Sequence, residues 1–302
     1  LTSIRLDGNT NLAVLNIQNG NNSSLTGFNV TNNPSLSCIQ VSDVSFMNTN
    51  FGALVNKDAG ATYSTFCAPI AAAALNFSEG NYISINPLPA VDNNNFSIEA
   101  WINTTDTEGE IAGWGGDGLA EFRIFAGHLQ FLELGSSSNP GFQSVNGSTI
   151  INNNVWTHVA VTKNGTDVKL YINGVLDGSG TISLQFNYTY FYIGTGGPHL
   201  DVFYSGNMDE LRIWNTAISS SQISTKMNCE PAPQAGLTAE YHFNQGNAFV
   251  NNSAETILAD ASGNGNNGAL QNFALNGGVS NWVAPGGVVT GNTGGVTYLA
   301  SG

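Results

Sequence analysis

Two hairpin signals nine residues apart constrain this chain more than any other feature. In WTHVAVTKNGTDVKLYINGVLDG, residues 156–178, Asn164-Gly165 and Asn173-Gly174 each separate two alternating runs. Asn-Gly favours a tight hairpin because both residues tolerate positive φ. A chain that turns back twice in so short a space builds an antiparallel sheet. The same pattern extends both ways. ALNFSEGNYISIN (74–86) alternates on either side of a Gly turn, and EFRIFAGHLQFLEL (121–134) reads as two strands around Gly127. NFSIEAWIN (95–103) puts Phe96, Ile98, Ala100 and Ile102 on one face and Ser97, Glu99 and Trp101 on the other. YTYFYIG and NMDELRIWN add two more strands, and SSSQISTKM offers one short turn of helix. So many strands joined by Asn/Gly turns imply a mainly-β fold of two packed sheets.

Charged residues make up only 9% of the 302, against about 25% in an average globular protein. The formal net charge is −14. An acidic surface repels phosphate backbones, so nucleic acids and acidic membranes are poor partners. It suits divalent cations or neutral ligands such as sugars, and it also simply keeps a secreted protein soluble. No apolar run approaches the roughly 18 residues of a membrane span. The chain opens inside a repeating pattern. We therefore expect a piece of a larger, multidomain extracellular protein, secreted or at a bacterial cell surface.

That pattern covers the first forty residues. Leu1, Ile4 and Leu6 are echoed by Leu12, Leu15 and Ile17, then Leu25, Phe28 and Val30, then Leu36, Ile39 and Val41. Each block has the spacing LxxLxL and closes on an Asn or Gly turn, as the rungs of a single solenoid column would. Residues 1–42 resemble the leucine-rich repeats of secreted bacterial proteins, in the short Asn-rich form of Bacteroidetes. The expected layout is a short solenoid stub with its cap at 1–67, a linker at 68–73, a β-sandwich at 74–284 and a Gly-rich linker at 285–302. Cys38 and Cys67 bracket the cap. A bond between them would close a loop of about 30 residues, worth about 3–4 kcal/mol; two buried thiols are the alternative. Extracellular composition favours the bond.

Five blocks occur in order: ALNFSEGNYISI, FSIEAWI, WTHVAVTKNGTDVKLYINGVLDG, FYIG and GNMDELRIWNTAIS. Over residues 74–223 they resemble the laminin-G/pentraxin-like branch of the concanavalin A-like lectin/glucanase superfamily. The resemblance implies an antiparallel jelly-roll sandwich, and it is compatible with lectins, adhesion domains and spacers alike. GLTAEYHFNQG (236–246) and DASGNGNNGAL (260–270) also look like this family, where such a strand commonly comes first. Here it comes last, so it either returns to the sandwich or starts a second one.

No catalytic arrangement stands out. Glucanases of this fold place paired carboxylates on one strand face. Asp209 and Glu210 are adjacent and point to opposite faces unless a bulge intervenes, and TEGE (107–110) reads as a loop. We expect no enzyme. Within MDELRIWN, Leu211 and Ile213 read as core, Arg212 as the partner of an acid at the rim, and Trp214 as packed on the other layer. His158, Trp101 and Trp156 read as buried packing residues. The family resemblance implies calcium, which wants six to eight oxygens. The candidate ligands are Asp209, Asp260, Asn264, Glu79 and Asn81, and the competing reading is turn formers that bond their own backbone. The expected function is carbohydrate binding, to a polysaccharide or a glycoprotein glycan. A structural or protein-binding adhesion role is the alternative. A sugar ring needs an exposed aromatic and nearby polar groups. Trp114 with Asp117 in GWGGDG leads the candidates, followed by Phe142, Tyr204 and His199. Tyr188, Tyr190 and Tyr192 form a stripe that is either a platform or half of the core.

Overall fold

The computed structural model describes residues 2–288 apart from 10, 11, 13, 19, 35, 66–72, 88, 185, 186, 197–201 and 250. The chain divides into two compact units, between Ile70 and Ala71. No helix among the described residues is long and apolar enough to cross a membrane.

The N-terminal unit holds β1 (Ser3–Arg5), β2 (Val14–Asn16), β3 (Gly27–Asn29), β4 (Cys38–Gln40), helix α1 (Val44–Phe51) and β5 (Thr62–Ser64). All its ladders are parallel, with Ser3 opposite Gly27, Val14 opposite Cys38 and Cys38 opposite Thr62. Each step is 24 residues. Blocks expected as consecutive rungs of one column therefore pair with the next block but one, and two ladders form instead. Phe28, Val30, Leu36, Ile39, Val41 and Met47 fill the space between. Asn33 is buried; its side chain donates to the carbonyls of Leu6 and Val30 and accepts from the Asn9 N–H. Asp43 caps α1 by accepting from the Phe46 N–H at 2.8 Å. Cys67 lies outside the described residues, and among those described no disulfide has both its cysteines. Cys229 is a free, buried thiol.

The larger unit begins with β6 (Ala74–Phe77), β7 (Tyr82–Ile85), β8 (Asn95–Asn103), β9 (Glu108–Phe125), β10 (His128–Leu134) and β11 (Phe142–Ile150). It continues with β12 (Thr157–Asn164), β13 (Asp167–Ile172), β14 (Val175–Thr181), β15 (Asn187–Ile193), β16 (Gly206–Trp214) and helix α2 (Ser220–Lys226). Its last strands are β17 (Leu237–Tyr241), β18 (Ile257–Leu258), β19 (Gly268–Gln271) and β20 (Trp282–Val283). Two antiparallel sheets result. One has seven strands in the order β11-β10-β9-β15-β7-β19-β18; the other has eight, β14-β13-β12-β8-β16-β6-β20 with β17 beside β16. The C-terminal segment returns to both sheets: β17 pairs with β16, β19 with β7, and β20 with β6.

The hairpins sit where the turn chemistry put them. Asn173 and Gly174, at φ 51° and 77°, link Ile172 to its partner Val175. In the other hairpin Asn164 pairs with Asp167, and Gly165 at φ 62° starts the two-residue loop. A third tight turn lies inside β9. A Cβ on Gly113 would lie 2.9 Å from the Ala120 carbonyl oxygen. Seven extended residues would span roughly 23 Å, so the chain reverses between them, at Asp117-Gly118, where Gly118 has φ 95°. Glu108 to Glu110 of TEGE, which reads as a loop in the sequence, and GWGGDG belong to this folded strand.

The core is apolar with one exception. Glu133 on β10 and Lys163 on β12 meet between the two sheets, Oε1 to Nζ 2.5 Å, with neither side chain exposed. Removing one member of such a pair leaves a buried charge and typically costs about 3–5 kcal/mol, whereas an apolar pair of similar volume is close to neutral. Urea unfolding of Lys163→Met should show a loss in that range. The double variant Glu133→Leu, Lys163→Met should recover most of it.

Candidate functional site

Met208, Leu211 and Ile213 of β16 point into the core, as read from the sequence for the last two. Regular alternation would then put Asp209 and Glu210 on opposite faces. It does not hold. Asp209 is opposite Trp101 and Arg212 opposite Glu99, so β16 carries one residue more than β8 between them. The extra residue is accommodated by Glu210 at φ 49°, a conformation that costs a non-glycine residue on the order of 1–3 kcal/mol. Asp209, Glu210 and Arg212 thereby share the outer face of the eight-stranded sheet, and all three are fully buried.

Arg212, expected to meet an acid at the rim, is instead enclosed by three. Nε donates to Glu240 at 3.0 Å, Nη2 to Glu210 at 2.7 Å, and Nη1 reaches Glu99 at 3.5 Å. The carbonyls of Lys226 and Cys229 accept the remaining donors. Trp214 donates to Glu99 at 3.0 Å, and the buried His158 faces the same carboxylate at 3.4 Å. Trp214 packs with Ala160, Tyr171 and Ile223 beneath α2. Burial pushes the Glu240 carboxyl up to about 7 against the pull of Arg212 and His242. For His242 burial works downward, but the hydrogen bond to Glu210 and the surrounding carboxylates outweigh it and the net direction is up. Ligand atoms of Glu210, Glu240 and His242 lie within 4.8 Å of one another, close enough to hold one divalent ion.

The residues nominated for calcium do not form a cage. Asp209 accepts the N–H groups of Gly287 at 2.7 Å, Val288 at 3.1 Å and Glu210 at 2.9 Å, so it pins the C-terminal segment to the sheet. Asp260 accepts from the N–H groups of Glu240, Ser262 and Asn266. Asn264 donates to the carbonyls of Leu237 and Thr238. Asn81 accepts from Ser78 and donates to Asn272, while Glu79 is exposed beside it. These oxygens fix turns, and they lie in three separate places.

Two of the nominated sugar contacts are corrected. Trp114 is fully buried, at 5.0 Å from the Phe96 ring and 4.9 Å from Phe191. Its glycine neighbours belong to a strand, so the indole alternates into the core. Tyr204 is also buried; its hydroxyl donates to the Asn207 carbonyl at 2.9 Å. Asp117 sits at the β9 reversal and accepts from Ser137. Phe142 is exposed at the start of β11. His199 lies outside the described residues. Trp101 and Trp156 are half-buried rather than buried, on the outer face next to Gly287.

The outer face of the seven-stranded sheet gathers a different set. Phe191 and Ile193 of β15 are core, so Tyr190 and Tyr192 face outward, half-buried and stacked at 4.8 Å. Tyr82 of β7 meets Tyr192 edge-on at 5.4 Å. Tyr188 turns to the core instead and donates to the Val91 carbonyl. Gly115 and Gly113 stand opposite Tyr190 and Tyr192. A Cβ at Gly115 would overlap the Tyr190 hydroxyl, so the missing side chain is what lets the ring lie across the strand. Beyond the glycines runs a polar ladder. Arg123 donates to Gln130 at 2.7 Å and approaches Glu121 at 3.4 Å, and Gln130 donates to Asn146 at 2.5 Å. The sequence grouped Tyr188, Tyr190 and Tyr192 on one face and left it open between platform and core; a register shift separates Tyr188 from the other two. Tyr82, Glu121, Arg123, Gln130 and Asn146 were not legible there, because they join the stripe only across strands distant in sequence.

This topology has known relatives. Residues 77–224 match the family model of the concanavalin A-like lectin/glucanases superfamily. They form a laminin-G-type β-sandwich domain. The match does not reach the N-terminal unit, so it lends no support to the leucine-rich-repeat resemblance. Among solved structures, a candidate carbohydrate-binding protein of Bacteroides ovatus aligns with TM-score 0.53 at 21% identity, over 74% of this chain and 64% of its own. The chain thus spans less than two thirds of that relative. Mouse laminin α1 domains LG4-5 align at 0.42 and 16% identity, over 52% of this chain and 46% of theirs. A heptameric SAP-like pentraxin from Limulus polyphemus gives 0.43 and 16%, over 56% and 86%. No curated protein matches the chain.

The buried charges of the larger unit set a pH dependence. Burial raises the Glu133 carboxyl to about 7, only partly offset by Lys163, and raises Asp209 as well. With Glu240 and His242, four groups hold a proton more tightly folded than unfolded. Their stabilisation is present at low pH and is lost as pH rises through their folded values. Glu99 is shifted the other way, because His158 and Arg212 outweigh its burial, and it opposes the trend only in the acid range below ordinary carboxylate values. Unfolding free energy should therefore rise by about 1–3 kcal/mol from pH 8 to pH 5.5, measured by urea titration at each pH.

Proposed function

We propose that the laminin-G-type domain is a carbohydrate-binding, lectin-like module that works outside the cell as part of a larger protein. The observation that carries this reading is the rung Tyr82–Tyr192–Tyr190, half-buried and held in contact, beside the accessible Arg123 and Asn146, which the buried Glu121 and Gln130 hold in place. A sugar ring stacks its apolar face on an aromatic ring and gives its hydroxyls to planar polar groups. The low charge content and acidic surface are in keeping with a neutral polysaccharide or glycoprotein glycan. So is the fold shared with the Bacteroides ovatus candidate carbohydrate-binding protein.

We further read the domain as non-catalytic. The bulge does bring Asp209 and Glu210 to one face, but both are fully buried, where no glycosidic bond can reach them. The N-terminal unit is read as the end and cap of a leucine-rich repeat, on the strength of its 24-residue parallel steps.

The test is binding to a panel of neutral polysaccharides and glycans, followed by calorimetry on the best ligand. Tyr192→Ala should weaken binding about tenfold or more without changing the fold, and Phe142→Ala should leave it unchanged. Chelation with EDTA should not abolish it, since stacking and hydrogen bonds carry the contact and Glu121 already faces Arg123. No reducing sugar should be released. Absence of binding across the panel would favour a protein-binding adhesion module instead.

A further inference from the structure

We propose that Glu210, Glu240 and His242 bind one transition-metal ion of the zinc class, and that this ion clamps the returning strand β17 to the bulge in β16. The site lies on the outer face of the eight-stranded sheet. It is independent of the glycan reading, which concerns the other sheet.

The strand pattern makes the site. Tyr241 is core, so its neighbours Glu240 and His242 stand on one outer face. The positive φ of Glu210 brings a second carboxylate to the same face. Arg212 then takes one oxygen from each acid: Oε2 of Glu210 at 2.7 Å and Oε1 of Glu240 at 3.0 Å. The second oxygen of Glu210 is hydrogen-bonded to His242, and that of Glu240 is left. Oε1 of Glu210 lies 2.9 Å from Nδ1 of His242, and Oε2 of Glu240 is buried with no hydrogen-bond partner. An unpartnered carboxylate oxygen in a fully buried side chain calls for a cation or a donor. Arg212 is thus the outer partner that orients two ligands, a common arrangement around metals.

Charge and access agree. Glu99, Glu210 and Glu240 surround a single guanidinium, with none of the three carboxylates exposed. A divalent ion would balance the excess. His242 is the only ligand with solvent contact, its side chain 24% exposed, so the imidazole stands at the mouth and the acids behind it. The donor set selects the ion. One imidazole nitrogen with two carboxylate oxygens suits zinc and its neighbours, with a fourth position for water. Calcium would want six or more oxygens. The ion and the ligands both differ from the calcium set expected from the sequence.

The experiment uses the full chain, stripped with a chelator and dialysed into metal-free buffer. Zinc titration by calorimetry, with elemental analysis after desalting, should give one zinc per chain and a higher thermal midpoint. Cobalt(II) should give the visible bands of a low-coordinate nitrogen–oxygen site. Glu240→Gln, which keeps shape, and His242→Ala, at the exposed edge, should each weaken zinc at least tenfold. Circular dichroism in chelator checks that both remain folded. Millimolar calcium should not displace the zinc. Absence of stoichiometric zinc, or wild-type affinity in folded His242→Ala, would overturn the proposal. Displacement by calcium would overturn the assignment of the ion.

Discussion

The guanidinium of Arg212 is the constraint around which the eight-stranded sheet is organised. Its five N–H donors form a rigid fork that cannot be left unsatisfied in a dry interior. The acceptors come from five places: Glu99 on β8, Glu210 on β16 itself, Glu240 on β17, and the carbonyls of Lys226 at the end of α2 and Cys229 beyond it. Satisfying the arginine therefore fixes where α2 ends and where the returning strand docks. It also accounts for the bulge. Without the extra residue at Glu210, the second carboxylate would point into the apolar core.

The two outer faces of the sandwich have different fates as a result. The arginine side is roofed by α2 and pinned by Gly287 and Val288 on Asp209. Its polar groups are numerous but almost all consumed by one another. On the opposite face Tyr82, Tyr190 and Tyr192 stay half-exposed. Glycine decides that geometry. Because Gly115 presents no side chain, the Tyr190 ring lies over the neighbouring strand instead of standing upright. A face with flat rings beside ordered amides and a guanidinium is suited to polyhydroxylated ligands, whereas the roofed face is suited to holding the fold together.

Much of the fold was legible locally. Asn-Gly turns and strict alternation located β12 to β14, and the faces of β8 followed from its period of two. Leu211 and Ile213 were readable as core for the same reason. Trp114 was misread because a tryptophan among glycines looks like a loop tip. Gly115 answers to Tyr190, which lies far along the chain on β15. The adjacency of Asp209 and Glu210 was read as two faces because alternation is the rule, and nothing in MDELRIWN announces a positive φ at a glutamate. Asp260, Asn264 and Asn81 have the composition of metal ligands, yet each is occupied by backbone groups whose positions only the folded chain supplies.

The class of fold follows from local properties: hydrogen-bonding turns and a period-two pattern leave an antiparallel sandwich as the economical solution. Which polar residues are free and which are spent is set once the chain is folded. That depends on desolvation and on partners brought from distant strands. Neither Arg212 among three acids nor Tyr190 across Gly115 can be read from neighbours along the chain.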